Sequence, residues 1–229
     1  MILTVVVASV QLLSCSSIMA PPVSLLSGET EQTIPKHHVN FSGSEGMLDV
    51  NQYCTGKEVG VGYGIDSSID VQLKPSYKVL VVNDTSEYVM KGGQLQVKFK
   101  SSPGDSSAFL LAAGYSESDL GNEMSLHVGQ VFADRYKYIG FGLLFGAYFN
   151  IPLSAKSVYV ENENFDIDTP SRFEYQKFEK TGGIYSSTEV YVFYDKRIEL
   201  NANMTFGYSR CRNGDAFMLG MGSKLMINI

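Results

Sequence analysis

Residues 138–150 read Tyr-Ile-Gly-Phe-Gly-Leu-Leu-Phe-Gly-Ala-Tyr-Phe-Asn. At a period of two, one face of this stretch is bulky and apolar, and it comprises Ile139, Phe141, Leu143, Phe145, Ala147 and Phe149. The opposite face consists mostly of glycine, at Gly140, Gly142 and Gly146. A half-buried strand of a soluble sheet usually carries charge on its second face. An apolar outer face with a crowded inner face is typical of a narrow transmembrane barrel.

The same alternation of apolar with polar or small residues recurs along the chain. The other clear segments are 59–65, 69–81, 94–99, 108–116, 124–132, 184–194, 198–208 and 217–229. The Asn213-Gly214 dipeptide before the last segment is a strong hairpin signal. These nine segments predict an all-β protein.

The region 151–182 is less regular than the rest. Segments 157–161 and 172–178 have strand-like composition, and 162–171 is typical of a loop. Because transmembrane barrels of this kind have an even number of strands, one strand from this region is expected to join the other nine. The sequence therefore predicts about ten strands, with eight as the alternative.

Length and composition limit the possible functions. The chain has 229 residues, and a single barrel domain with an N-terminal extension accounts for that length. A formal net charge of −6 without a Lys/Arg stripe argues against nucleic acid as a partner. Only 18% of residues are charged, below the quarter or so typical of soluble domains. The surface is therefore not expected to lie wholly in water.

The N-terminal residues have the features of a signal peptide. Residues 1–14 carry no charge, and their apolar run is too short to span a bilayer. The sequence Leu12-Leu13-Ser14-Cys15 resembles the lipobox of bacterial lipoproteins, which implies lipidation of Cys15. Cleavage after Ala20 is the alternative, and the lack of Lys or Arg before Lys36 departs from the usual signal pattern. We expect a signal peptide at 1–14, a lipidated Cys15 with a flexible periplasmic tether at 15–55, and a barrel at 56–229.

Alternation alone does not say which face of the barrel meets lipid, because a soluble lipocalin-like barrel alternates with its apolar face inward. Three features favour an apolar face that points outward: it lacks ionisable groups in the clearest segments, glycines cluster on the opposite face, and aromatic residues gather near strand ends. The residues predicted to face lipid are Val59, Val61, Ile139, Phe141, Leu143, Phe145, Leu200, Met204, Phe206, Leu219, Met221 and Leu225.

Charged and polar residues on the opposite face are predicted to line the lumen. They are Glu58, Asp70, Lys74, Lys98, His127, Arg197, Glu199 and Lys224. The lumen of a barrel this small is filled by side chains, and these residues carry both signs of charge. We expect them to pair and plug the lumen rather than line an open pore.

These segments resemble the small outer-membrane β-barrel proteins of Gram-negative bacteria. The resemblance rests on Gly-Val-Gly-Tyr-Gly-Ile at 60–65, on Gly-Phe-Gly-Leu-Leu-Phe-Gly at 140–146, and on the alternating C-terminal strand. It implies a closed antiparallel up-and-down transmembrane barrel in the outer membrane, with its N-terminus in the periplasm. Outer-membrane lipid and the barrel-assembly machinery are the implied partners. Chains of this class usually end in Phe or another aromatic residue, whereas this one ends in Ile229.

We expect a structural or surface-interaction role. The alternative is a soluble periplasmic lipocalin-like lipoprotein that binds an apolar ligand inside its barrel. No nucleotide loop is predicted at 140–146, because its glycines share one face and their spacing exceeds G-x-G-x-x-G.

No enzyme activity, metal or cofactor is predicted. His37-His38 lacks a third ligand at suitable spacing, and His127 lacks an orienting acid. Cys54 and Cys211 are expected to be free thiols, because the predicted topology places them at opposite ends of the barrel.

Overall fold

The computed structural model describes residue 19 and residues 32–50, 52–82, 86–102, 105–162, 172–194, 197–212 and 214–229. The predicted signal peptide at 1–14 and the predicted lipidation site Cys15 lie outside these residues. Within them, no helix is long and apolar enough to cross a bilayer.

Ten strands close into an antiparallel barrel. They are β1 (Val39–Val50), β2 (Tyr53–Gly64), β3 (Ile69–Val82), β4 (Ser86–Phe99), β5 (Ser107–Ser118), β6 (Gly121–Arg135), β7 (Ile139–Ala155), β10 (Thr181–Tyr194), β11 (Ile198–Cys211) and β12 (Gly214–Asn228). Two short strands, β8 (Val158–Asn162) and β9 (Arg172–Gln176), form a separate hairpin inserted between β7 and β10. The barrel closes where β1 pairs with β12. The predicted fold class and strand number are confirmed.

The tenth barrel strand is β1, and not a strand from 151–182. The expectation of a flexible tether at 15–55 is therefore wrong for 39–50, and the barrel begins at Val39 rather than at residue 56. The outer face of β1 explains the error. It contains a glycine and two carboxylates, Gly43, Glu45 and Asp49, so it lacks the apolar alternation of the other strands.

The barrel has two distinct ends. The terminal rim holds the start of β1, the end of β12 and the connections β2–β3, β4–β5, β6–β7 and β10–β11. The loop rim holds the remaining connections, including the insertion that carries β8 and β9.

The two cysteines do not lie at opposite ends as predicted. Cys54 is near the start of β2 and Cys211 ends β11, so both are close to the loop rim. Because β1 precedes β2 in the barrel, the strand that carries Cys54 runs in the opposite direction to the predicted one. The two residues belong to separate buried clusters, and neither forms a disulfide, as predicted.

The register of the sheet fixes the width of the barrel. A path from Asn122 along directly opposed partners passes through each strand in turn and returns to β6 at Asp134, twelve residues further along. For ten strands, this shift corresponds to a tilt of about 40° and a backbone radius of about 10 Å. The interior is therefore of side-chain dimensions.

Candidate functional site: the outer wall and the lumen

The outer wall of the barrel is apolar. All twelve residues predicted to face lipid point outward, with exposed fractions from 39% at Ile139 to 61% at Val59. This is the reverse of a lipocalin-like barrel, in which the apolar face points inward. Contact with lipid stays a prediction.

The apolar wall forms a band of defined height. Along β11 it runs from Ile198 to Tyr208, which at a tilt of about 40° spans roughly 25 Å of the barrel axis. Exposed charged side chains, including Lys91, Glu117 and Arg210, appear above it towards the loop rim. Transmembrane barrels carry an apolar band of about this height, with aromatic residues at its edges.

Aromatic side chains lie at both edges of the band. Tyr63, Tyr136, Tyr138 and Tyr194 are exposed near the terminal rim. On the loop side, exposed aromatic residues include Tyr77, Tyr115 and Phe217. Their amphipathic rings suit the boundary between an apolar layer and water.

Most of the predicted lumen residues are inside the barrel. The buried ones are Glu58, Asp70, Lys74, Lys98, Glu199 and Lys224. His127 is half-buried, and its ring stacks on Tyr185 with 5.1 Å between ring centroids.

Arg197 is not in the lumen, so its prediction is wrong. Strand β11 begins at Ile198, which leaves Arg197 in the preceding turn with an exposed side chain. The inside–outside alternation of a strand does not extend to a residue in a turn.

Residues that precede β1 occupy the lumen near the terminal rim. The Ile34 side chain is buried, and its backbone N–H donates to Asp70 Oδ2 at 2.9 Å. Lys98 Nζ donates to the backbone oxygen of Gln32 at 3.1 Å. Met19 also lies inside, in a buried cluster that includes Tyr148 and Tyr185. Ile34 and Met19, which belong to the predicted tether, are therefore part of the barrel's core.

Strands β3 and β4 contribute a polar ladder to the same region. Lys74 Nζ donates to Gln96 Oε1 at 2.9 Å, and Gln94 donates to the same oxygen at 3.3 Å. Gln72 donates to Asp70 Oδ1 at 3.1 Å. Buried polar groups are costly unless they are hydrogen-bonded, and these contacts supply partners within each strand and, through Lys74 and Gln96, between β3 and β4.

A second network joins β6, β10 and β11. Arg135 forms an ion pair with Glu199 at 3.3 Å, and its guanidinium lies 4.2 Å from the centre of the Phe193 ring. Glu189 Oε2 accepts from Tyr191 at 2.8 Å and from Asn201 at 3.0 Å. These contacts cross-link three strands from the inside.

Apolar clusters lie towards the loop rim. One contains Cys54, Leu80, Met90 and Leu120, and Phe178, which follows the inserted hairpin, packs into it. Cys54, Leu80 and Met90 belong to β2, β3 and β4, on the opposite side of the barrel to β7 and β10. The segment between β9 and β10 therefore reaches across the barrel mouth.

The inner-face glycines receive aromatic rings. Tyr191 lies over Gly140 and Gly142, and Tyr185 lies over Gly146. A methyl group added at Gly142 would overlap the Tyr191 hydroxyl, and one at Gly146 would overlap the Tyr185 ring. The glycine face of 138–150 is thus the surface on which two lumen tyrosines pack.

Sequence reasoning missed three charged lumen residues, Arg135, Glu123 and Glu189. Strict alternation places Glu189 on the face opposite to that of Val190, and Glu123 on the same face as Ser125. The sequence pattern therefore already indicated that both side chains face the lumen. Arg135 lies beyond the predicted end of its strand, which continues three residues further than expected.

Among the described residues, no group of three or more His, Cys, Asp or Glu side chains is arranged to hold a metal ion. What the arrangement does is to cross-link the strands internally while presenting an apolar exterior. Together, the wall and the lumen define the chain as a closed ten-stranded antiparallel β-barrel, apolar outside and largely polar inside.

The solved structures that the chain resembles include bacterial outer-membrane barrels. An outer membrane channel from Pseudomonas putida F1 aligns at 7% identity and a TM-score of 0.47, over 89% of this chain and all of the other. The N-terminal β-barrel domain of Pseudomonas aeruginosa OprF aligns at 8% identity and a TM-score of 0.34, over 82% and 97% of the two chains.

The Acinetobacter baumannii outer membrane protein Omp33 aligns at 10% identity and a TM-score of 0.35, over 84% and 99%. At these values the likeness concerns barrel architecture alone. No protein-family model and no curated protein sequence matches the chain.

Proposed function

We propose that this chain is an outer-membrane β-barrel protein with a structural or surface-interaction role. The proposal rests on the apolar band of the outer wall. The height of this band matches the thickness of a bilayer's hydrocarbon layer, and aromatic residues lie at its edges. Exposed apolar surface of this extent is not stable in water. Outer-membrane lipid is the partner that would cover it.

We also propose that the lumen is closed to diffusion. Three sets of contacts support closure: the Lys74–Gln96 ladder, the Arg135–Glu199 pair, and the Ile34 segment on Asp70. With a backbone radius of about 10 Å, such side chains leave little free cross-section. The role would then depend on the outer wall and the loops rather than on conduction.

The proposal includes lipidation at Cys15 and a periplasmic N-terminus, with insertion by the barrel-assembly machinery. The start of β1 and the end of β12 share the terminal rim, which would face the periplasm. Mass spectrometry of the mature chain tests the lipid: a lipidated chain begins at Cys15, whereas cleavage after Ala20 gives an unmodified chain that begins at Pro21.

Fractionation tests the proposed location. The protein should appear in the outer-membrane fraction, require detergent for extraction, and migrate faster on gels before boiling than after. In planar bilayers it should give no sustained conductance. A mature protein that is monodisperse without detergent would refute the membrane proposal, and a steady open channel would refute the closed lumen.

A further inference from the structure

One charged pair interrupts the apolar band. Glu45 on β1 and Lys57 on β2 are directly opposed partners in the sheet, and both side chains are exposed on the outer wall. Lys57 lies six residues from Tyr63 at the terminal rim, and its directly opposed partner on β3 is Tyr77, at the loop-side edge of the band, so Lys57 lies inside the band in its loop-side half. Glu45 is likewise six residues from Val39.

Charge at this depth is unfavourable next to acyl chains. A lysine ammonium has three donors and a carboxylate can accept several hydrogen bonds, so a single pair leaves polar atoms facing hydrocarbon. The long Lys57 side chain can reach the loop-side edge of the band, but the shorter Glu45 side chain, one strand further from that edge, leaves its carboxylate among acyl chains. A second protein surface with complementary charges would satisfy the pair.

The wall around the pair forms a groove, which larger side chains including Tyr53, Tyr77 and Met221 also line. A groove of about 640 Å³ is lined by Glu45, Lys57, Thr55, Met47 and Ser223, among others. Gly43 lies beside it on β1, and a methyl group added there would have no neighbour within 4 Å. Small residues let another barrel approach closely.

The outer wall on the other side of the barrel has a hollow without charge. Its hollow, of about 550 Å³, is lined on the outside by Leu95, Leu111, Ala113, Leu126 and Phe149, which carry no charge. Acyl chains fill such a surface without cost. We therefore expect protein to cover the charged groove and lipid to cover the apolar hollow.

We propose that the groove around Glu45 and Lys57 is a dimer interface for a second copy of this chain. The inference rests on the membrane location proposed above. Two copies inserted in the same direction are related by a two-fold axis along the membrane normal. Because Glu45 and Lys57 lie on adjacent strands at similar depth, an axis between them places each Glu45 against Lys57 of the partner subunit.

Cysteine cross-linking in isolated outer membranes tests the interface. Thr55 lies two residues from Lys57 on the same face, next to the proposed axis, and Ala113 lies on the opposite wall. Under mild oxidation, Thr55→Cys should give a cross-linked dimer, whereas Ala113→Cys should not. The Ala113 variant also reports any background from native cysteines, of which Cys54 and Cys211 are buried.

Charge exchange then tests the pairing. In the Thr55→Cys background, Glu45→Lys or Lys57→Glu should reduce cross-linking to the level of the Ala113 control, because like charges meet across the axis. The double exchange Glu45→Lys with Lys57→Glu should restore it. Cross-linking that survives a single reversal, or that the double exchange does not restore, overturns the proposal.

The same samples separate the two proposals. If the chain is in the outer-membrane fraction with heat-modifiable migration but Thr55→Cys remains monomeric, the dimer interface is refuted and the membrane barrel stands. If the chain is found in the soluble fraction, both are refuted.

Discussion

Single residues decide how the lumen is filled. Gly142 and Gly146 have no side chain because the rings of Tyr191 and Tyr185 occupy that space. The sequence showed that one face of 138–150 was crowded, but it did not show which side chains crowd it, since both tyrosines come from a strand more than 30 residues later.

Gly142→Ala should lower the free energy of unfolding by about 1–3 kcal/mol, because the new methyl group overlaps Tyr191. Gly93→Ala is the matched control on the outer wall, where the nearest atom to the methyl group lies at 3.6 Å, an ordinary contact distance, and it should leave stability unchanged or raise it by about 0.5 kcal/mol. Urea titration of the protein folded into lipid vesicles measures both. Equal effects of the two variants would contradict the packing of Tyr191 on Gly142.

The positions of Glu199 and Arg197 give a second residue-level prediction. Glu199→Gln removes the buried charge that pairs with Arg135, so stability should fall by about 1–3 kcal/mol. Arg197→Gln, two residues earlier but in an exposed turn, should change it by less than about 0.5 kcal/mol. Urea titration of the protein folded into lipid vesicles measures the stability of both variants. A larger loss for Arg197→Gln would restore the original prediction of a lumen arginine.

At the scale of elements, alternation identified nine strands and their faces but missed β1. Period two is visible when one face is uniformly apolar, as in β7 and β11. Strand β1 carries Glu45, Asp49 and Gly43 on its outer face, so its sequence resembles a polar linker. Its strand state follows from long-range pairing with β12 and β2, which a local pattern does not contain.

Ser44→Pro tests whether β1 is an integral strand. Ser44 pairs with Lys224 on one side and Glu58 on the other, so proline removes a ladder hydrogen bond inside the closed sheet. The faster-migrating folded band on gels should be largely lost, and Ser44→Ala, which keeps the N–H, should retain it. A fully folded Ser44→Pro variant would show that 39–50 is dispensable, as a tether would be.

At the scale of the whole molecule, strand number and register set what the barrel can do. Ten strands with a shift of twelve residues give a narrow cylinder, whose lumen holds side chains and residues from before β1. The number of strands could be predicted from the sequence because nine segments were clear and an all-antiparallel closed barrel requires an even count, although the tenth strand was β1 and not one from 151–182. The occupation of the lumen by Ile34 and Met19 could not, because neither residue belongs to a periodic segment.

The most direct test of the membrane barrel is a spin-label scan of residues 141–146 in lipid vesicles, with one cysteine at a time in a background whose native cysteines are replaced by serine. Collision with oxygen, which concentrates in the bilayer, should be high at 141, 143 and 145 and low at 142, 144 and 146. Collision with a water-soluble nickel complex should stay low at the odd positions. If the odd positions are instead the ones that the nickel complex reaches, the apolar band faces water and the chain is not a membrane barrel.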